Sequence, residues 1–283
     1  MSALGTIITA IVTPFDDAAN VDEATFVSLM HHLAANGTDG FVVAGSTGEG
    51  STLDDDEHLA LIELAVREKP AGTTVIANTG SNDTRHAIHL TEKSTELGVD
   101  GTLQAVGYYN RPNRRGIVQH YRTVAAVTDK PIVLYNIPSR TTLDMDNELL
   151  AELAQIEHVD AVKQANNANL ALVDGLELYG GNDEIFGRTL ELGGAGGICV
   201  ASHLVGNEMR EMVDATPERR AELDARLRPL FDVMGVTTNP IPVKAALDLV
   251  GRPVGGLRLP MVEADDDERA QIRAVLADLG LVG

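Results

Sequence analysis

Short runs rich in apolar and β-branched residues recur eight times along the chain, at 6–12, 40–44, 74–77, 101–105, 131–135, 159–163, 176–179 and 197–200. Segments whose apolar residues fall near helical spacing lie between most of them, at 23–35, 55–68, 85–97, 117–127 and 147–154. Strand, helix, strand repeated in this order predicts parallel strands joined by crossover helices. Eight such units in about 200 residues fit an α/β protein of the (β/α)8 barrel type, in which side chains at the strand C-termini converge on one face. A doubly wound open sheet is the alternative. Beyond the eighth run the pattern is wholly helical, at 208–214, 217–234, 241–249 and 265–279. We expect a TIM barrel over residues 1–226 and a C-terminal helical extension over 227–283 packed on it.

A chain of 283 residues with 44% hydrophobic content can bury one large core, and no break in composition marks a second domain. The formal charge of -20 argues against non-specific binding to nucleic acid or to an anionic membrane, since both need clustered cations, and points to small-molecule partners. Cys199 is the only cysteine and stands between apolar Ile198 and Val200, which excludes an intrachain disulfide and suits an inert thiol in a reducing cytoplasm. There is no basic leader, and no apolar stretch approaches the roughly 18 residues of a membrane span. The acidic runs 54–56 and 265–267 have two readings, a high-salt adaptation or helix starts that favour negative charge.

Candidate chemistry centres on Lys163, which closes the apolar run VDAVK, where an ammonium group serves no evident structural purpose. Burial disfavours the charged form, so a lysine there shifts from about 10.4 toward neutrality and offers a free amine to a carbonyl. The competing reading has its stem in the wall and its head in solvent, or paired with a carboxylate such as Glu49. Lys69, Lys93, Lys130 and Lys244 look ordinary by comparison.

Other polar groups fall at the same strand ends. Gly45-Ser46-Thr47-Gly48-Glu49 supplies two hydroxyls and a pliable backbone that suits a small carboxylate, or else it is a plain strand-to-helix turn. Tyr135 is either a proton donor and acceptor or a core tyrosine with a satisfied hydroxyl. Arg140, in IPSRT, is either a fork for a substrate carboxylate or a solvated loop cation. The stretch GGAGG at 193–197 precedes a strand instead of following one, so it is not a dinucleotide loop. The eight histidines fall mostly on predicted helices without metal-ligand spacing, which favours surface positions and no metal.

Taken together, GSTGE, YYNRP, YNIPSRT, VKQA and NPIPVK, spaced along nearly the whole chain, resemble the dihydrodipicolinate synthase (4-hydroxy-tetrahydrodipicolinate synthase) family. The resemblance implies a lyase of the class I aldolase type without metal or organic cofactor, a homotetramer built from tight dimers, in diaminopimelate and lysine biosynthesis. By that resemblance Lys163 forms an imine with pyruvate, Tyr135 is acid and base, and Ser46 and Tyr109 complete a proton relay, Tyr109 reaching in from a neighbouring subunit. Thr47 then holds the pyruvate carboxylate, Arg140 receives L-aspartate 4-semialdehyde, Ile198 offers a backbone contact near the imine, and Gly181 borders the pocket.

The match has departures. Ser46 replaces a threonine, Gly107 a proline and Gln164 a glutamate, while GSTGE is also typical of N-acetylneuraminate lyases. Another pyruvate-dependent aldolase acting on sugar acids is therefore the alternative, and a non-catalytic keto-acid-binding paralogue is the alternative of another class. His58 and Asn82 fit the pattern of members that lysine inhibits, but Asp55 and His86 stand where those members carry a histidine and a glutamate, so the resemblance does not extend to lysine feedback.

Overall fold

A computed structural model describes residues 3–283. Eight parallel strands close into a barrel in sequence order: β1 (Ile7–Ala10), β2 (Gly40–Val43), β3 (Thr74–Asn78), β4 (Gly101–Ala105), β5 (Ile132–Asn136), β6 (Val159–Gln164), β7 (Glu177–Gly180) and β8 (Gly196–Cys199). Closure is direct, since β1 pairs with both β2 and β8, and this rules out the open sheet. The surrounding helices are α1 (Glu23–Ala35), α2 (Asp55–Glu68), α3 (Thr84–Leu97), α4 (Arg114–Ala125), the single turn α5 (Pro138–Thr141), α6 (Asn147–Leu153), α7 (Phe186–Glu191) and α8 (Ser202–Asp214). One expected unit is incomplete, because only a 3-10 turn, Asn167–Asn169, joins β6 to β7. Three more helices complete the chain, α9 (Pro217–Val233), α10 (Ile241–Leu249) and α11 (Asp266–Asp278).

Strand parity decides what fills the barrel. Alternate residues point inward, and Ile8, Ala10, Val42, Ile76, Leu103, Val133, Tyr135, Ala161, Tyr179 and Ile198 form one interior cluster. Ala161 faces in, so Lys163, two residues on, faces in at the C-terminal rim. The opposite parity faces the helices, as Val162 does among Leu149, Leu150 and Leu153, and a register irregularity between Val159 and Ala161 turns Val159 to the same side. The C-terminal helices join the outer layer: Leu223, Leu227, Leu230, Val243, Leu247, Ile272 and Leu276 share a buried cluster with Phe26, Phe186 and Met209. Each such leucine, buried completely, contributes about 1.5–3 kcal/mol. Helix α9 runs unbroken through positions 226 and 227, so backbone continuity couples the barrel to the C-terminal helices.

The two acidic runs prove to be helix starts. Asp54 and Asp265 are the N-caps of α2 and α11, and each forms a reciprocal capping box, with Glu57 and Glu268 respectively. Capping and the helix dipole account for both clusters without appeal to salt.

Candidate active site

Tyr135 on β5 and Lys163 on β6 are neighbours in register at the strand ends. Both side chains point inward by parity, and Lys163 Nζ stands 4.3 Å from the centroid of the Tyr135 ring. Both are nearly closed to solvent, Lys163 at 5% and Tyr135 at 7% exposure. Above them opens a cleft of about 250 Å³ lined by Ser46, Thr47, Tyr135, Arg140, Lys163 and Gly181. That volume is below the usual 300–1,000 Å³ of sites for larger ligands and suits a metabolite of a few carbons.

The loop after β2 is shaped by its glycines. Gly50 N–H donates to the Gly45 carbonyl at 3.0 Å, and a Cβ on Gly50 would fall 2.0 Å from the Ala44 oxygen, so no other residue fits. Thr13 Oγ1 donates to the Gly48 carbonyl at 2.6 Å and pins the loop to the segment after β1. Gly181 continues the β6–β7 pairing by donating to the Gln164 carbonyl at 2.8 Å. A Cβ there would meet that oxygen at 2.9 Å. Arg140, on α5, is exposed, and its Nη2 donates to the Asn239 carbonyl at 3.0 Å.

Two expected residues are not among those lining the cleft. The Ile198 side chain is fully buried in the barrel interior on β8. Tyr109 lies outside, on the β4–α4 loop, 92% exposed and with φ of 67°. Its loop is held by Asn110, whose Nδ2 donates to the Asn82 carbonyl at 2.8 Å. A left-handed backbone is uncommon for a residue other than glycine.

Known proteins share this barrel and much of its sequence. The profile of the Dihydrodipicolinate synthetase family matches residues 3–279. The chain belongs to this family. It is 43% identical to a 4-hydroxy-tetrahydrodipicolinate synthase of Heliobacterium modesticaldum over 98% of this chain and 96% of that one. Among solved structures, a dihydrodipicolinate synthase from Cyanidioschyzon merolae with lysine bound superposes with a TM-score of 0.94 at 40% identity, covering 99% of both chains. The enzyme from Acinetobacter baumannii complexed with pyruvate gives a TM-score of 0.95 at 32% identity, covering 99% of this chain and 100% of that one.

In this synthetase-family chain, the structure also corrects several expectations. Lys244 is not ordinary: it is 3% exposed on α10 and pairs with Glu49 Oε1 at 2.6 Å. Glu49 is therefore the partner of Lys244 and not of Lys163. Lys244 Nζ also donates to the Gly256 carbonyl at 2.7 Å and lies 4.4 Å from the Phe15 ring centroid. Burial pulls the Lys244 ammonium below the usual lysine range, and the bond to Glu49 opposes that shift. The apolar neighbours in IPVKAAL were a signal of burial.

Two histidines are buried as well. His203 meets the Val200 carbonyl through Nδ1 at 2.8 Å and accepts the Val12 N–H through Nε2. With Nε2 an acceptor, Nδ1 carries the proton, and burial lowers the pKa of the ring to about 4. His58 is 5% exposed against the Asn78 carbonyl.

Asp183, also in the cleft wall, was missed. Its Oδ1 accepts from Val200 N–H and Ala201 N–H at 2.9 and 3.0 Å, tying the β7–α7 turn to the β8–α8 connection. Burial raises its pKa, and those two bonds oppose the shift. No group of three His, Cys, Asp or Glu side chains among the described residues is arranged to hold a metal ion. No helix among them is long and apolar enough to cross a membrane.

Proposed function

We propose that the chain is a 4-hydroxy-tetrahydrodipicolinate synthase that condenses pyruvate, held as an imine on Lys163, with L-aspartate 4-semialdehyde. What supports this reading most directly is the inward-facing Lys163 amine, 4.3 Å from the Tyr135 ring at the floor of the cleft. An amine attacks only when uncharged, and a phenol beside it can both give and take the proton that imine formation moves.

The Lys163 nitrogen attacks the pyruvate ketone, and Tyr135 protonates the carbinolamine oxygen, which leaves as water. Loss of a methyl proton turns the imine into an enamine, whose carbon attacks the aldehyde of the second substrate. The amine of that substrate then attacks the imine carbon, expels Lys163 and closes the ring. In this scheme Thr47 holds the pyruvate carboxylate and Arg140 the carboxylate of the semialdehyde. Ser46 relays protons with Tyr135. The Ile198 backbone and Gly181 border the imine. The covalent imine takes the place of a metal or organic cofactor.

Tyr109 completes the relay from a neighbouring subunit, which agrees with its exposed, left-handed display. On this reading the enzyme is a homotetramer of tight dimers. The buried, unpaired Cys199 suits the reducing cytoplasm in which we place it.

Borohydride reduction in the presence of pyruvate, followed by peptide mass spectrometry, tests the imine. An adduct on Lys163, absent from Lys163→Ala, is the expected result, and an unmodified Lys163 refutes it. A coupled assay tests the second substrate. Product from aspartate semialdehyde supports the synthase, whereas cleavage of N-acetylneuraminate or a 2-keto-3-deoxy sugar acid would reassign the chain to the sugar-acid aldolases.

A further inference from the structure

We propose that Asn239 is a positioning residue that turns the Thr47 hydroxyl into a hydrogen donor aimed at the pyruvate carboxylate. The inference rests on the reading of Thr47 as the carboxylate holder. Asn239 Nδ2 donates to Thr47 Oγ1 at 2.9 Å. A hydroxyl has one hydrogen and two lone pairs. With one lone pair already facing an N–H, its own hydrogen must swing away from Asn239. Thr47 is 4% exposed and lines the cleft. The direction left to its hydrogen is the space where the substrate sits, so an anionic oxygen arriving there meets a donor already aligned. Such pre-alignment spares the ligand the cost of turning the group.

The same residue serves the other carboxylate group. Its main-chain carbonyl accepts Arg140 Nη2 at 3.0 Å. Asn239 is itself fixed by the helix start next to it. The Ile241 N–H donates to the Thr238 carbonyl at 2.9 Å, and the Lys244 N–H to the Pro240 carbonyl at 3.1 Å, starting α10 at once. Lys244, on that helix, reaches Glu49 at 2.6 Å. Two straps thus join the same two segments, Asn239 to Thr47 and Lys244 to Glu49. The C-terminal helices hold the carboxylate loop from outside the barrel.

Asn239→Asp tests this. An aspartate accepts the Thr47 hydrogen instead of donating to its oxygen and adds a negative charge beside the carboxylate. It leaves the main-chain bond to Arg140 in place. The measurements are the pyruvate dependence of the borohydride-trapped Lys163 adduct, by mass spectrometry, and the KM for each substrate.

Half-saturating pyruvate should rise about 10- to 100-fold, as expected for losing a hydrogen bond to a charged group. The KM for the semialdehyde and the kcat at saturating pyruvate should each stay within about threefold. Asn239→Ala, which adds no charge, should give a smaller rise of the same kind. In a Thr47→Val background the Asn239→Ala change should have almost no further effect, because the hydroxyl it orients is gone. The inference is overturned if the wild type forms the adduct but half-saturation is unchanged in Asn239→Asp, or if the Asn239→Ala effect survives in full with Thr47→Val. No adduct in the wild type at any pyruvate concentration would instead overturn the Schiff-base reading beneath it.

Discussion

Replacing Lys244 by methionine should destabilise the fold by removing the counter-ion of a carboxylate that has no access to water. The Glu49 and Lys244 side chains are 0% and 2% exposed, and Lys244 Nζ at 2.6 Å is the one cation facing Oε1 among the described residues. Among the described residues, Oε2 retains the Arg258 N–H at 3.0 Å. Taking one partner from a buried pair costs about 3–5 kcal/mol, because the remaining charge is left desolvated. Methionine keeps the packing on the Phe15 ring, so this figure is chiefly electrostatic. At about 2–4 °C per kcal/mol in large domains, the melting temperature should drop by roughly 10 °C.

Adding Glu49→Gln to Lys244→Met removes the stranded charge and should restore more than half of the loss, since a neutral pair of similar volume replaces an ionic one at little cost. Calorimetry of the wild type, the single variant and the double variant provides the comparison. A single variant within about 1 kcal/mol of the wild type, or a double variant no more stable than the single, would show that the pair carries no such weight.

The proton path, the buried histidines and the response to lysine offer three more tests. Tyr135→Phe should lower kcat about 10²- to 10⁴-fold while leaving a trappable pyruvate adduct, measured by steady-state kinetics beside borohydride reduction; unchanged kcat would remove Tyr135 from the proton path. The His203 pKa is lowered from 6.5 to about 4 in the fold, so the unfolded chain binds its proton first as pH falls. Its contribution is complete above pH 6.5 and is lost toward pH 4, amounting to about 3 kcal/mol. His58 shifts in the same direction, whereas the raised Asp183 carboxyl opposes the trend at lower pH. Urea unfolding between about pH 7 and pH 4.5 should show the decline, with a shallower slope in His203→Met; parallel slopes would refute the assignment. Asp55 bonds to His86 Nε2 at 2.9 Å, and Ser81 Oγ meets His86 Nδ1 at 3.1 Å, so these groups are occupied with one another. Millimolar lysine should leave the activity unchanged in a coupled assay, and inhibition there would show that the pair opens to a ligand.

The barrel was legible because parallel strands buried on both faces write themselves as unbroken apolar runs. The expected run 101–105 coincides with β4, and the helices expected at 23–35, 55–68 and 241–249 coincide with α1, α2 and α10. Lys163 stood out as the polar end of such a run. Where the pattern misled, a local rule had yielded to tertiary contacts. Helix α8 begins at Ser202, six residues before its expected start; its first turns escaped the periodic reading since they carry the buried, polar His203 and a kink at Val205. Helix α7 has only six residues, too few for a period to register. The contacts of Thr47 with Asn239 and of Glu49 with Lys244 join segments nearly two hundred positions apart, and no spacing rule reaches that far.

Those distant contacts also explain how two buried lysines at the same end of the barrel can serve different purposes. A lysine paired with a carboxylate inside a protein is held as a cation and makes a poor nucleophile. Glu49 lies in the loop that carries Ser46 and Thr47, and its partner is Lys244. Lys244 Nζ also meets the Phe15 ring and the Gly256 carbonyl, so α10 is tied to this loop by a fully buried pair. No carboxylate pairs with Lys163 among the described residues, and its amine faces the Tyr135 ring. The C-terminal helices therefore hold the loop that carries Ser46 and Thr47 in place and occupy its carboxylate.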